Sequence, residues 1–181
     1  MISVEEALEK VLSFVKVLEG VKTPILECLG QVLDEDILST INIPPKDNSA
    51  MDGYAVKAKD IAGASSSSPV YLDIIGEARA GDVSKLDVKA HKTVRIMTGA
   101  PLPKGADAVV PFEETDETRR TGHPLKQIGI MKEVGKGKNV RFAGEDIASG
   151  QLALSRGAVL RPAQIGVLAS LGLKTVKVIR K

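Results

Sequence analysis

A chain of 181 residues with 43% hydrophobic and 27% charged residues has ordinary globular usage, which excludes a disordered or collagen-like chain and leaves room for one large or two small domains. Twenty-five Lys and Arg against 23 Asp and Glu give a net charge of +2, too balanced to form a basic footprint for a nucleic-acid backbone. A single cysteine, Cys28, excludes an intrachain disulfide, and with no Cys-x-x-Cys pair and only His91 and His123 as imidazoles a structural zinc site is excluded as well. No apolar run approaches the roughly 18 residues of a membrane span. The N-terminus carries Glu5, Glu6 and Glu9 where a secretory leader would be basic and then apolar, so a cytoplasmic protein without a membrane partner is expected.

In chain order, Ser3-Val4-Glu5-Glu6 has the form of a capping box, in which a hydroxyl and a carboxylate satisfy each other's backbone amides at a helix start. Val4, Ala7, Leu8, Val11, Leu12, Val15 and Leu18 then form one apolar stripe, and Gly20 is placed to end it, which predicts an amphipathic helix over the first 20 residues. A second, shorter helix is predicted from Glu27 to Asp34, with Leu29, Val32 and Leu33 on one face and Cys28 as a small packed residue. Ile43-Pro44-Pro45 forbids further helix, because proline lacks an amide and restricts its predecessor.

The texture then becomes β: short β-branched runs over Val70 to Ile75, Thr93 to Met97, Ala108 to Phe112 and Lys126 to Met131, punctuated by Gly, Pro, Ser and Asp. Ser65 to Ser68 and Asp116 to His123 read as mobile polar connections. Past Gly144, Pro162 starts a short helix with Ile165, Leu168 and Ala169 on its inner face and Gly172 at its end, and Thr175 to Ile179 alternates as a strand. The expected fold class is α+β: an N-terminal amphipathic helix (1–20), a small discontinuous α/β-textured domain (21–43 and 144–181), and a mostly-β domain inserted into it (44–143). A strand directly before Arg180-Lys181 leads us to expect a piece of a longer protein.

The familiar catalytic signatures fail. Gly129 to Lys136 places five residues between its glycines and continues with Gly137, so it is no phosphate-cradling P-loop. Gly-x-Ser-x-Gly is absent, and Cys28 has no histidine nearby in sequence. Three other segments carry chemistry. In Pro44 to Ala55, Asp47 and Asp52 among Asn48 and Ser49 fit a hydrated divalent cation held by oxygens; the plainer reading is an Asx turn at Asp47 and a β-turn at Asp52-Gly53. In Arg95 to Asp107, the Thr98 hydroxyl and Gly99 amide fit an anion at a strand exit, against an ordinary strand-ending turn, and Glu113-Glu114 closes the next strand. In Gly135 to Asp146, flexible glycines and Arg141 fit an oxyanion, against a soluble hinge.

Together these segments resemble one family, the molybdopterin molybdenumtransferases of the MoeA and gephyrin E-domain type. The matching stretches are Asp47-Asn48-Ser49-Ala50-Met51-Asp52-Gly53-Tyr54-Ala55, Arg95 to Pro101, Gly105 to Val110, Gly144-Glu145-Asp146 and Ile165 to Gly172, in order across nearly the whole chain. The resemblance implies an enzyme that inserts molybdate into adenylylated molybdopterin and releases AMP with Mg²⁺ assistance, as a homodimer. By match to the motif positions it implies Asp52, Thr98 and Asp146 as catalytic residues and Arg141, Glu113 and Ser49 as cofactor-binding residues; metal ligands are left unassigned. Family members continue into a pterin-binding α/β domain and a small β domain that this chain lacks, so the piece alone is expected to be inactive. A non-catalytic dimerisation or docking scaffold is the competing reading, favoured by the apolar stripe of Ser3 to Leu18.

Overall fold

The computed structural model describes residues 2–82, 85–120 and 125–180. Among these residues it is a mixed fold, mostly strand, with two α-helices, α1 (Val4–Leu12) and α2 (Pro162–Ser170). The strands in chain order are β1 (Gly20–Pro24), β2 (Ile37–Leu38), β3 (Asn48–Ser49), β4 (Gly53–Val56), β5 (Val70–Ala78), β6 (Lys92–Ile96), β7 (Ala108–Pro111), β8 (Gln127–Ile130), β9 (Val140–Arg141), β10 (Leu152–Leu154) and β11 (Thr175–Ile179). They fall into two compact units, one formed by Met1–Ile41 with Ser149–Lys181 and one by Asn42–Ala148.

In the first unit, β1 and β11 pair antiparallel from Gly20 opposite Ile179 to Pro24 opposite Thr175, and β2 pairs with β10. Ile25, Cys28, Leu33, Leu160, Leu168, Val176 and Val178 are buried there. Cys28 is fully enclosed, its thiol aimed at the Pro24 carbonyl, and burial raises the thiol pKa, so it packs as a small apolar residue. Pro162 opens α2 and Leu168 faces inward as expected, whereas Ala169 is exposed. The β11 strand alternates, with Val176 and Val178 in the core. Among the described residues no helix is long and apolar enough to cross a membrane.

Two helical expectations are corrected. The Ser3–Glu6 capping box forms in both directions, yet α1 stops at Leu12 and not at Leu18. Ser13 caps it, its hydroxyl donating to the Lys10 carbonyl, and the run Phe14-Val15-Lys16-Val17 that follows is aromatic and β-branched, with poor helix propensity. Of the stripe only Ala7 is partly covered; Val4, Leu8, Val11, Leu12, Val15 and Leu18 are exposed, as are the neighbouring Phe14 and Val17, so no packing within the unit extends the helix. The Glu27–Asp34 helix is absent, replaced by a 3-10 turn over Ile25–Glu27. Residues 31–34 are extended: Leu33 donates to the Ala158 carbonyl, Leu160 to that of Gln31 and Asp34 to that of Lys177. Distant strand partners override the local apolar pattern here.

The second unit is built on a five-stranded sheet of order β7-β4-β6-β5-β8. Only β5 and β6 are parallel. The four predicted β runs all become strands of this sheet. Side chains alternate across it, so Tyr54, Val56, Leu72, Val110, Ile128 and Ile130 pack with Ile61 on one face, and Ala55, Val94, Ile96 and Val109 pack with Val88 and Ala100 on the other. The Ser65–Ser68 tip closes on itself through two backbone hydrogen bonds. The Asp116–His123 connection forms a 3-10 turn over Glu117–Arg119, flanked by Asp116 and Arg120; residues 121–123 lie outside the described residues.

The correction that matters for the site is β4. The plainer sequence reading puts a β-turn at Asp52-Gly53, but from Gly53 the chain is a central strand buried at all four positions. Gly53 is required there by close approach: a Cβ at this position would lie 2.0 Å from the Val110 carbonyl oxygen across the β4–β7 ladder.

Candidate functional site

Asp52 stands immediately before β4, and Thr98 two residues after β6, so the antiparallel pairing that sets Gly53 opposite Ile96 brings the two loops together. One Asp52 oxygen, Oδ1, accepts both from the Thr98 amide at 2.7 Å and from the Thr98 hydroxyl at 2.8 Å. These two donors, the amide first, and the charge of Arg95 hold the Asp52 carboxyl below its ordinary value, so it is anionic at neutral pH. Both residues are exposed, and Oδ2 has no hydrogen-bond partner among the described residues. The pair is an oriented carboxylate with one oxygen free to accept a proton or meet a cation. The anion pocket expected at Thr98 is not formed as such, because the Thr98 donors go to Asp52 and the Gly99 amide goes to the Ser49 carbonyl.

Ser49 is buried and sits between this pair and the next cluster. Its amide donates to the Ala100 carbonyl, and its hydroxyl donates to that of Met51 at 2.6 Å. On its other edge, β3 pairs antiparallel with β9, Asn48 opposite Arg141 and Ser49 opposite Val140. A buried hydroxyl turned wholly onto its own loop shapes the Asp52 approach and offers nothing outward.

Arg141 leaves β9 into a cluster of carboxylates. Its Nε donates to Glu145 at 2.6 Å, and its Nη2 reaches Oδ1 and Oδ2 of Asp146 at 2.9 and 2.7 Å. Glu145 also accepts from the Phe142 amide, closing a tight turn. Glu145 and then Asp146 raise the Arg141 pKa, so the cation is firmly charged but largely neutralised where it stands. An oxyanion meeting Arg141 would use Nη1 or compete with these carboxylates. Asp47 makes no Asx turn: its Oδ1 accepts from the Ala143 amide at 2.8 Å, across 96 residues. Nor is Gly135–Asp146 a hinge, since Gly137 donates to the Asp107 carbonyl, Val109 to that of Lys138, and the Asn139 side chain to that of Val109.

Direct contacts thus group the expected residues into Asp52–Thr98 and Arg141–Asp146, with Ser49 and its strand β3 linked to the loops of both. Glu113 joins neither through its side chain. It is exposed on the 3-10 turn after β7, next to Phe112, whose amide donates to the Asp52 carbonyl. Among the described residues no group of three or more His, Cys, Asp or Glu gathers into a metal cage.

A polar network that sequence reasoning missed lies behind the first pair. Arg95 on β6 is opposite Tyr54 on β4. The guanidinium donates twice to Glu117 Oε1, at 3.2 and 3.0 Å, and the buried Tyr54 hydroxyl donates to Oε2 at 3.0 Å. Burial, reinforced by the Glu117 charge, raises the Tyr54 pKa, so the phenol stays protonated. Glu117 follows Tyr54 by 63 positions and Arg95 by 22, and no local pattern announces such a convergence. The signal available was a Tyr and an Arg at positions of β4 and β6 flanked by Ala55, Val94 and Ile96.

Residues 2–172 match the model of the MoeA N-terminal region (domain I and II), and the chain belongs to that family. Among curated relatives it is 37% identical over 179 residues to Molybdopterin molybdenumtransferase 2 of Mycobacterium tuberculosis, covering 99% of this chain and 43% of the relative. It is likewise 37% identical over 180 residues to Molybdopterin molybdenumtransferase of Staphylococcus aureus, covering 99% of this chain and 42% of the relative. A crystal structure of the molybdopterin biosynthesis moeA protein from Pyrococcus horikoshii OT3 matches with a TM-score of 0.89 at 36% identity, covering 98% of this chain and 45% of that one. The chain therefore spans less than half the length of these relatives.

Proposed function

We propose that this chain acts in molybdenum cofactor biosynthesis as the N-terminal portion of a molybdopterin molybdenumtransferase, where it supplies one polar wall of a site completed by regions it does not contain. The reading rests on the Asp52–Thr98 pair: an ionised, doubly anchored carboxylate with one open oxygen, in a chain 37% identical to enzymes of that name. In this proposal adenylylated molybdopterin and molybdate are the substrates, and AMP is released. Asp52 accepts a proton from, or orients, water at the phosphoanhydride, and Thr98 fixes the carboxylate. Arg141 contacts phosphate or pterin oxygens of the substrate by giving up its ion pair with Asp146, whose freed carboxylate positions water or a partner group.

Mg²⁺ belongs to the proposal as a companion of the substrate. One open carboxylate oxygen together with phosphate oxygens and water is a donor set that Mg²⁺ accepts, and it keeps several waters in such sites. This chain supplies no closed cage for it among the described residues. A homodimer in the cytoplasm completes the reading. The exposed apolar side of α1 supports a second one, a dimerisation or docking scaffold without catalysis.

The test is a molybdate-insertion assay on this chain and on a version extended past Lys181, with sedimentation of both. Activity confined to the extended protein is expected. An extended protein that sediments as a dimer but inserts no molybdate favours the scaffold.

A further inference from the structure

A cavity in the second unit is lined by Tyr54 and Arg95 and by no other family-matched residue among the described ones. It is about 890 Å³, within the roughly 300–1,000 Å³ usual for small-molecule sites. The β5–β8 ladder runs only from Val70 opposite Ile130 to Asp73 opposite Gln127. Beyond it, the β5–β6 register shifts between Ile74 and Glu77, with Gly76 at φ 153° in the bulge. Bulges of this kind bend a strand and re-aim its side chains, and they concentrate next to binding sites. Ile74, Ile75 and Leu125 form the apolar wall of the cleft beside this bulge.

The polar residues lining that space, among the described ones, are Arg95, Lys126, Glu77, Glu117 and Tyr54. Both carboxylates are committed, Glu117 to Arg95 and Tyr54 as above and Glu77 to Arg79 at 3.1 Å. The cations are not fully used. Arg95 Nη1 has only the Met97 sulfur at 3.7 Å and Glu77 Oε1 at 3.9 Å. Lys126 is exposed and has no ion pair among the described residues, while its backbone carbonyl is fixed by the Ile74 amide at 2.9 Å. A cleft with aliphatic walls and two underused cationic donors has the chemistry of an organic anion site: the walls take an apolar body, and the donors take its oxygens.

We propose that this cleft binds a small organic anion consisting of a flat or branched apolar body and one carboxylate or comparable oxyanion, held between Arg95 and Lys126. The inference goes beyond the proposed transferase function and does not depend on it.

Three probes of nearly equal shape and different charge test it on the intact chain: indole-3-acetate, indole-3-acetamide and tryptamine, titrated while backbone amide shifts are followed by NMR. Saturable shifts at Ile75, Gly76, Glu77 and Lys126 are expected for the acetate, with binding at least about tenfold weaker for the amide and weaker still for tryptamine. Lys126→Glu, on the surface, should weaken the acetate by about tenfold or more, while Lys132→Glu, whose ammonium pairs with Glu114 elsewhere, should leave it unchanged. Acetate shifts confined to α1 or absent from the cleft would overturn the proposal, as would tryptamine binding equally well or an unaffected Lys126→Glu.

Discussion

Gly53→Ala is the change that tests most sharply how the sheet places Asp52. The added methyl would lie 2.0 Å from the Val110 carbonyl oxygen and 2.9 Å from the Pro111 Cα, and both obstacles are backbone, so no side chain can swing aside. The φ of Gly53 is not in the left-handed region, which leaves steric overlap as the cost. Forcing one methyl into a packed interior costs about 1–3 kcal/mol. Moving β4 away from β7 also strains the bond from the Phe112 amide to the Asp52 carbonyl, 3.1 Å long, a contribution of about 0.5–1.5 kcal/mol. The smaller unfolded-state entropy of Ala returns about 0.4–1 kcal/mol. A net loss of about 2–3 kcal/mol is expected in urea unfolding of the isolated chain. Gly166→Ala in α2, where a Cβ meets nothing within 4 Å, serves as the control and should be neutral or stabilising by up to about 1 kcal/mol. A Gly53→Ala variant within about 0.5 kcal/mol of wild type would refute the close β4–β7 approach as the reason for glycine at this position.

Tyr54→Phe leaves the Glu117 Oε2 without its donor while keeping the ring packed, so a loss of about 1.5–3 kcal/mol is expected in the same urea assay; a change below about 0.5 kcal/mol would mean that Glu117 does not depend on the Tyr54 hydroxyl. Asp34, whose side chain is 6% exposed, is held below its ordinary pKa by Lys177 first and Arg156 second. A carboxyl depressed on folding contributes stability that is present above its unfolded pKa and lost as pH falls through its folded one. Asp34→Asn should therefore flatten the acid limb of the stability profile below the ordinary Asp range, and parallel wild-type and variant profiles would contradict this. Thr98→Ala removes the hydroxyl donor but keeps the amide donor to Asp52. In the extended protein it should weaken ligand handling with the fold intact, and unchanged kinetics would reduce Thr98 to a turn residue.

What could be read from the sequence follows from the range of the forces involved. The Ser3–Glu6 capping box, the first-turn Pro162 and the β-branched runs of β5 to β8 are set by neighbours a few residues apart, and they formed as expected. The Glu27–Asp34 segment carries an apolar pattern as good as that of many helices, but hydrogen bonds to residues 158–160 and 177 decided its conformation. For β4, the turn chemistry of Asp52-Gly53 concealed a buried strand, since glycine there answers a carbonyl 57 positions away rather than a turn. At the site, the match to the motif positions singles out Asp52, Thr98, Arg141 and Asp146. It did not fix that Thr98 would spend both donors on Asp52, that Arg141 would be neutralised by Glu145 and Asp146, or that Asp47 would tie down Ala143.

The most direct measurement is the molybdate-insertion rate of the extended protein carrying Asp52→Asn, which is nearly isosteric and can keep the oxygen that accepts both Thr98 donors. Loss of the anionic oxygen should lower kcat/KM by about a hundredfold or more, with the melting temperature unmoved. Wild-type turnover in that variant would contradict the assignment of Asp52 as the working group of this wall.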